Sequence, residues 1–130
     1  MKNQIKRLPD SELEIMMILW EAGGPVTSAE VADQLKSRKN WKITSVLTFL
    51  SRLAEKGFVS VKREGRMNLY TAIVREQDYL QQESRSILAK LYGNSLTAFV
   101  SSLYDSRAIG EKDLDDLRKF LDEASEGKQP

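Results

Sequence analysis

Thr44, Ser45, Thr48, Ser51 and Arg52 are spaced so that a helix would gather them on one side. At about 100° per residue, with Thr44 as zero, they span an arc from roughly 340° round to 100°. The arc is short-chained except for Arg52 and is read as free of acid. Small hydroxyl side chains let a helix backbone come close to a groove and bond phosphates or base edges, and their methyl groups can touch thymine. Arg52 can fork onto guanine O6 and N7 or grip a phosphate. A merely polar exposed face is the competing reading, although such a face would more often carry Lys and Glu four residues apart. Lys42 stands just ahead of this stretch. Arg63 and Arg66, with Lys62, fall at the tip of an expected hairpin, where they could meet phosphates or a minor groove. They could equally guard a strand edge against foreign pairing. Thr27 and Ser28 open another helix and could offer N–H groups and hydroxyls to a phosphate, or simply cap it.

Other chemistries are closed off by composition. The 130 residues include no His and no Cys, which removes His-dependent triads, thiol nucleophiles, disulfides and the common zinc sites. No phosphate-binding loop of the GxxxxGK[ST] type is present. The chain is therefore expected not to be an enzyme and to need no cofactor or metal. With 41% hydrophobic and 30% charged residues it suits a folded globular protein. It holds no apolar run of membrane-spanning length. MKNQIKRLPDSE has no apolar segment after its basic residues, so no secretory signal is expected; the expected location is cytoplasmic, without membrane insertion.

The net charge of +1 conceals an asymmetry. Residues 1–74 carry 12 Lys and Arg against 8 Asp and Glu, whereas residues 75–130 carry 8 against 11. Within 36–66 there are nine basic residues (Lys36, Arg38, Lys39, Lys42, Arg52, Lys56, Lys62, Arg63 and Arg66) against Glu55 and Glu64. A basic face beside an acidic tail suits a nucleic-acid surface joined to a partner-binding segment, provided the charges share one face.

Several elements must position these groups. The first helix should begin after Pro9, with Asp10 or Ser11 as N-cap and Ser11 with Glu14 as a capping box. Leu13, Met16, Met17 and Trp20 make its apolar side, and Gly23-Gly24-Pro25 ends it. Thr27 and Glu30 give a second capping box, opening a helix through about Lys36. Residues 37–42 read as a polar turn. A third helix runs from about Ile43 to Lys56, with Val46, Leu50 and Leu53 inward and Leu47 at the boundary, and Gly57 stops it. The period then alternates: Phe58, Val59 and Val61, a charged turn at Gly65, then Leu69 to Ile73, which reads as a hairpin. Three helices followed by a hairpin form the order of a winged helix-turn-helix unit.

From Arg75 the pattern is helical. Tyr79, Leu80, Ile87, Leu88 and Leu91 mark a fourth helix, broken at Gly93-Asn94. Leu96, Phe99, Val100, Leu103 and Tyr104 mark a fifth. Leu114, Leu117, Phe120 and Leu121 mark a sixth after Gly110, with residues 126–130 as a frayed end. The expected fold class is mainly α with a small β-hairpin: a winged-helix DNA-binding domain over 1–74 and a three-helix dimerisation domain over 75–130. Left unpaired, the stripes of the last two helices would exceed the usual apolar patch of a monomer. A two-fold homodimer is favoured over folding back on the winged unit, with Leu96, Phe99, Val100, Leu103, Leu114, Leu117, Phe120 and Leu121 at its interface. Paired reading helices would match a palindromic duplex with half-sites about one turn apart.

The chain resembles the BlaI/MecI penicillinase repressors, with the CopY-type copper repressors as relatives. The resemblance is carried by Leu13-Glu14-Ile15-Met16 through Trp20, by Leu50-Ser51-Arg52-Leu53-Ala54-Glu55-Lys56-Gly57, by Glu64-Gly65-Arg66 with Tyr70-Thr71, and by Tyr92-Gly93-Asn94-Ser95-Leu96. It covers about residues 8–123. It implies a dimeric transcriptional repressor on a dyad operator in double-stranded DNA. It also implies a membrane sensor-protease as upstream partner in a β-lactam or cell-envelope response, and cleavage of the repressor in its fifth helix. By position, Thr44, Ser45, Thr48, Arg52 and Arg66 match the family's DNA-contacting positions. Thr44 replaces a usual Lys, which implies a different operator preference. Ser102-Leu103 replaces the cleaved Asn-Phe pair, which weakens the expectation of a cut there. The cysteine-rich tail of the copper repressors is missing. Two alternatives remain open at this stage: a winged-helix protein-interaction module, and a transcriptional activator.

Overall fold

Pro9, with its fixed φ, turns the chain into the first helix, α1 (Asp10–Ala22). The computed structural model describes residues 5–36 and 38–127; Ser37 of the expected turn, the first four residues and residues 128–130 lie outside them. The Ser11–Glu14 capping box does not form. The helix begins two residues earlier, with Pro9 as N-cap and its carbonyl accepting from Leu13 N at 2.9 Å, so Ser11 already lies within the first turn. Helix α2 (Ser28–Leu35) does carry its box: Glu30 N donates to Thr27 Oγ1 at 3.1 Å and Thr27 N donates to Glu30 Oε1 at 2.8 Å. Helix α3 (Ile43–Glu55) ends where Gly57 takes a φ of +82°, a left-handed conformation costly for a residue with a Cβ. There Phe58 N donates to Leu53 O at 2.9 Å and Gly57 N to Ala54 O at 3.1 Å, closing the end of the helix.

Strands β1 (Val59–Glu64) and β2 (Met67–Ala72) pair antiparallel from Val59–Ala72 to Glu64–Met67, leaving Gly65-Arg66 as a two-residue turn. Gly65 has a φ of +63°. Glycine first in a two-residue hairpin matches the right-handed twist of the strands. One pairing was not legible in the sequence. Val26 N donates to Tyr70 O at 3.0 Å and Tyr70 N to Val26 O at 2.7 Å, adding a one-residue third strand that ties the hairpin to the entrance of α2.

The core gathers Ile15, Met16, Ile18 and Leu19 from α1, Val31 and Leu35 from α2, Val46, Leu50 and Leu53 from α3, then Phe58, Val59 and Tyr70. Tyr79 of α4 (Glu76–Tyr92) joins this core. Its ring lies 5.8 Å from Trp20 and 5.9 Å from Phe58, and its hydroxyl accepts from Leu8 N at 3.0 Å. Gln82 adds two hydrogen bonds to the backbone of Ile5. These contacts carry the first compact unit past Val74, where the sequence places the boundary, to Glu83 (Met1–Glu83).

The second unit, Ser84–Pro130, holds the rest of α4 with α5 (Leu96–Asp105) and α6 (Glu111–Gly127). Gly93 and Asn94 both take positive φ, and Asn94 N bonds to Leu88 O at 3.0 Å, which ends α4 where expected. Ser95 then caps α5 through Ala98 N. No residue of α5 or α6 is buried: Leu96 is 54% exposed and Phe120 61%. Tyr92 packs on Phe99 at 5.1 Å, and Tyr104 Oη donates to Glu111 Oε2 at 2.7 Å. Among the described residues no helix is long and apolar enough to cross a membrane.

Candidate nucleic-acid interface

The 3.6-residue period of α3 sorts its side chains as the sequence implies. Val46, Leu50 and Leu53 are fully buried, whereas Thr44, Thr48, Ser51 and Arg52 are exposed and Ser45 is half-buried. The outward side is therefore a continuous strip of small polar groups ending at Arg52. Thr48 Oγ1 donates to Thr44 O at 3.0 Å, so its hydroxyl proton is already engaged. What Thr48 offers outward is an acceptor oxygen and a methyl group. Glu55 corrects the expectation of an acid-free arc. It follows Thr44 by eleven residues, about three full turns, so it returns to nearly the same azimuth and is exposed. A carboxylate there repels phosphate, which confines an anion-facing strip to the turns from Ile43 to Arg52.

Arg52 is held by a partner that sequence reasoning missed. Its guanidinium carbon lies 5.9 Å from the centre of the Phe49 ring, and Trp41 meets Phe49 edge-on at 5.3 Å. Trp41, just ahead of α3, thus braces Phe49, and Phe49 offers its face to the cation. The signal available in the sequence was the aromatic three residues before an arginine on a helix, a spacing that makes the two neighbours.

The basic cluster of 36–66 divides in two. Lys56 turns inward, its Nζ 2.5 Å from Oε1 of Glu12 on α1, whose side chain is only 3% exposed. Arg38 lies 3.8 Å from Glu14. Both carboxylates lie outside the counted window; Lys56 is half-buried against its partner, whereas Arg38 stays exposed. Lys36, Lys39, Lys42, Lys62 and Arg66 remain exposed, with Arg52 and Arg63. At the hairpin tip Arg63 Nε donates to Gly65 O at 3.2 Å, which steadies the turn while its terminal nitrogens stay in solvent; Arg66 occupies the turn itself. At the start of α2, Ser28 is half-buried, and the Glu30 carboxylate already takes the Thr27 N–H. A phosphate would meet a negative charge there, so capping explains Thr27 fully.

In the tail, Leu96, Phe120 and Leu121 are exposed, and Phe99, Val100, Leu103, Leu114 and Leu117 are partly so. The Ser102–Leu103 bond lies inside α5, where Ser106 N bonds to Ser102 O at 3.1 Å and Ala108 N to Leu103 O at 2.9 Å. A protease reaching it must first unwind that turn. The described residues contain no cluster of acidic side chains able to hold a metal ion.

The profile of the penicillinase repressor family matches residues 8–123. The penicillinase repressor of Bacillus licheniformis is 28% identical over 97% of this chain and 98% of its own length. The methicillin resistance regulatory protein MecI of Staphylococcus aureus (strain N315) is 22% identical over 93% of this chain and 98% of its own. Among solved structures, the DNA-binding domain of the repressor BlaI is similar at 32% identity and a TM-score of 0.52, covering 60% of this chain and 94% of that one. The monomeric form of Bacillus licheniformis BlaI in complex with the blaP half-operator is similar at 33% identity and a TM-score of 0.50, covering 58% and 92%.

Proposed function

Because the chain belongs to the penicillinase repressor family, we propose that it represses transcription as a cytoplasmic homodimer, each copy laying α3 in the major groove of one half of a palindromic operator. The family's members are DNA-binding regulators rather than enzymes, and this chain is of that kind. The observation that carries the reading is the exposed strip from Thr44 to Arg52, in a domain similar to one solved on its half-operator. In this reading Lys42, Thr44, Ser45 and Thr48 line the groove and Arg52 forks onto a base edge or a phosphate. Arg63 and Arg66 meet the flanking backbone.

The homodimer is supported by the second unit, in which α5 and α6 carry apolar stripes and bury no residue. A second copy covering Leu96, Phe120 and Leu121 gives those stripes a partner. The signal in this reading is β-lactam or cell-envelope stress, with a membrane sensor-protease upstream. A docking-only module would want an apolar or acidic α3, and the cationic, hydroxyl-lined strip argues against it.

The test is binding of the full chain to duplex DNA selected from a random pool, read by gel shift at two salt concentrations. Tight, salt-dependent binding that Arg52→Ala weakens by about 1–3 kcal/mol supports the reading. Unchanged affinity in a folded Arg52→Ala variant removes Arg52 from it.

A further inference from the structure

The outward side of α3 carries two apolar residues that the strip of hydroxyls does not account for. Ile43 is 44% exposed and Leu47 41%. They are four residues apart, so they lie one above the other on the helix, about 5–6 Å between Cβ atoms. On the wheel Leu47 falls at roughly 300°, about 40° from Ser51, and Ile43 at roughly 260°, on the side of the buried Leu50. Single exposed leucines need no explanation. A stacked pair whose Leu47 borders the DNA-facing strip, next to Ser51, is a different matter.

A duplex seated on the strip of Ser51, Thr44 and Thr48 brings base-pair edges beside Leu47 at the margin of that strip. Among the four bases the thymine C5 methyl is the one apolar group displayed in the major groove. We propose that Leu47, with Ile43 beside it, reads thymine methyl groups and so sets which sequence this repressor prefers. The inference rests on the reading of α3 as the DNA-facing helix. Thr48, its hydroxyl proton engaged by Thr44 O at 3.0 Å, extends the apolar character of the contact with its own methyl.

The experiment replaces each thymine of a selected duplex by deoxyuracil, which removes only the methyl group. Affinities are then measured for the full-length chain and for Leu47→Ala and Ile43→Ala, both substitutions at exposed positions. At one thymine or more per half-site, deoxyuracil should weaken the parent chain about fourfold, the worth of one methyl group removed from water. Leu47→Ala should bind the two duplexes equally. The proposal is overturned if no deoxyuracil duplex binds more weakly, or if the penalty persists undiminished in both variants. It is likewise overturned if Leu47→Ala weakens every duplex alike or alters the oligomeric state. A chain that enriches no duplex at all defeats the DNA-binding reading itself, so the two failures are distinguishable.

Discussion

Replacing Lys56 by alanine should unfold the winged unit more easily while leaving its grip on DNA electrostatically unchanged. Lys56 stands at the C-terminal end of α3, 2.5 Å from Glu12, whose side chain is 3% exposed while that of Lys56 is 27% exposed. Removing the lysine strands a carboxylate whose side chain is almost wholly buried. Breaking a buried pair from one side costs about 3–5 kcal/mol. Because the lysine end reaches solvent, water can follow into the space, and we discount the expected loss to about 2–4 kcal/mol. A small domain has about 5–15 kcal/mol in all, so the variant should remain folded in mild buffer. Its urea midpoint should fall sharply, and its melting temperature should drop by roughly 10–20 °C. The double variant Glu12→Met with Lys56→Met should recover most of the loss, since an apolar pair of similar volume removes the desolvation penalty of both charges. The slope of log affinity against log salt should match the parent's, because Lys56 neutralises Glu12 rather than a phosphate. An unaltered urea midpoint together with a shallower salt slope would refute this reasoning and return Lys56 to the DNA face.

Three further outcomes are expected. Arg63→Ala and Arg66→Ala should weaken binding to all duplexes nearly alike and should each lower the salt slope by about 0.9, read by anisotropy titration across a salt series. Phe120→Asp, at a residue 61% exposed in the single chain, should shift sedimentation toward the monomer and weaken binding to a two-half-site duplex far more than to one half-site. Tyr104 should titrate above the ordinary tyrosine range, because its hydroxyl donates to Glu111 and the Glu111 and Asp105 charges disfavour the phenolate. The hydrogen bond therefore holds at lower pH and is lost as pH rises through that elevated value. Ultraviolet phenolate titration should show Glu111→Gln moving it back down.

What the sequence disclosed was mostly periodic or local. The inward set Val46, Leu50 and Leu53 follows from helical spacing, and the hairpin turn from a glycine between alternating runs. The break before Ser95 follows from Gly93-Asn94, and the α2 cap from Thr27 and Glu30 three apart. What it concealed was pairing between residues distant along the chain. Glu12 and Lys56 are 44 positions apart, Leu8 and Tyr79 are 71 apart, and Val26 meets Tyr70 through the backbone alone. No composition rule distinguishes a lysine that faces solvent from one drawn inward by a buried carboxylate. The Ser11 cap failed for a local reason: the helix starts two residues sooner, directly after Pro9, which leaves Ser11 inside the first turn. Leu47 sits at the boundary of α3 on the wheel, and helical spacing alone does not say that it is 41% exposed.

The division of labour along α3 bears on how such a protein can change over generations. The residues that hold the helix in place, Val46, Leu50 and Leu53, are fully buried, whereas Thr44, Leu47, Thr48 and Ser51 are exposed. Substitutions at exposed positions of this sort usually move stability by less than about 0.5 kcal/mol. A duplicated copy of the gene can therefore try new outward residues, and with them new target sequences, without first acquiring compensating changes inside the fold.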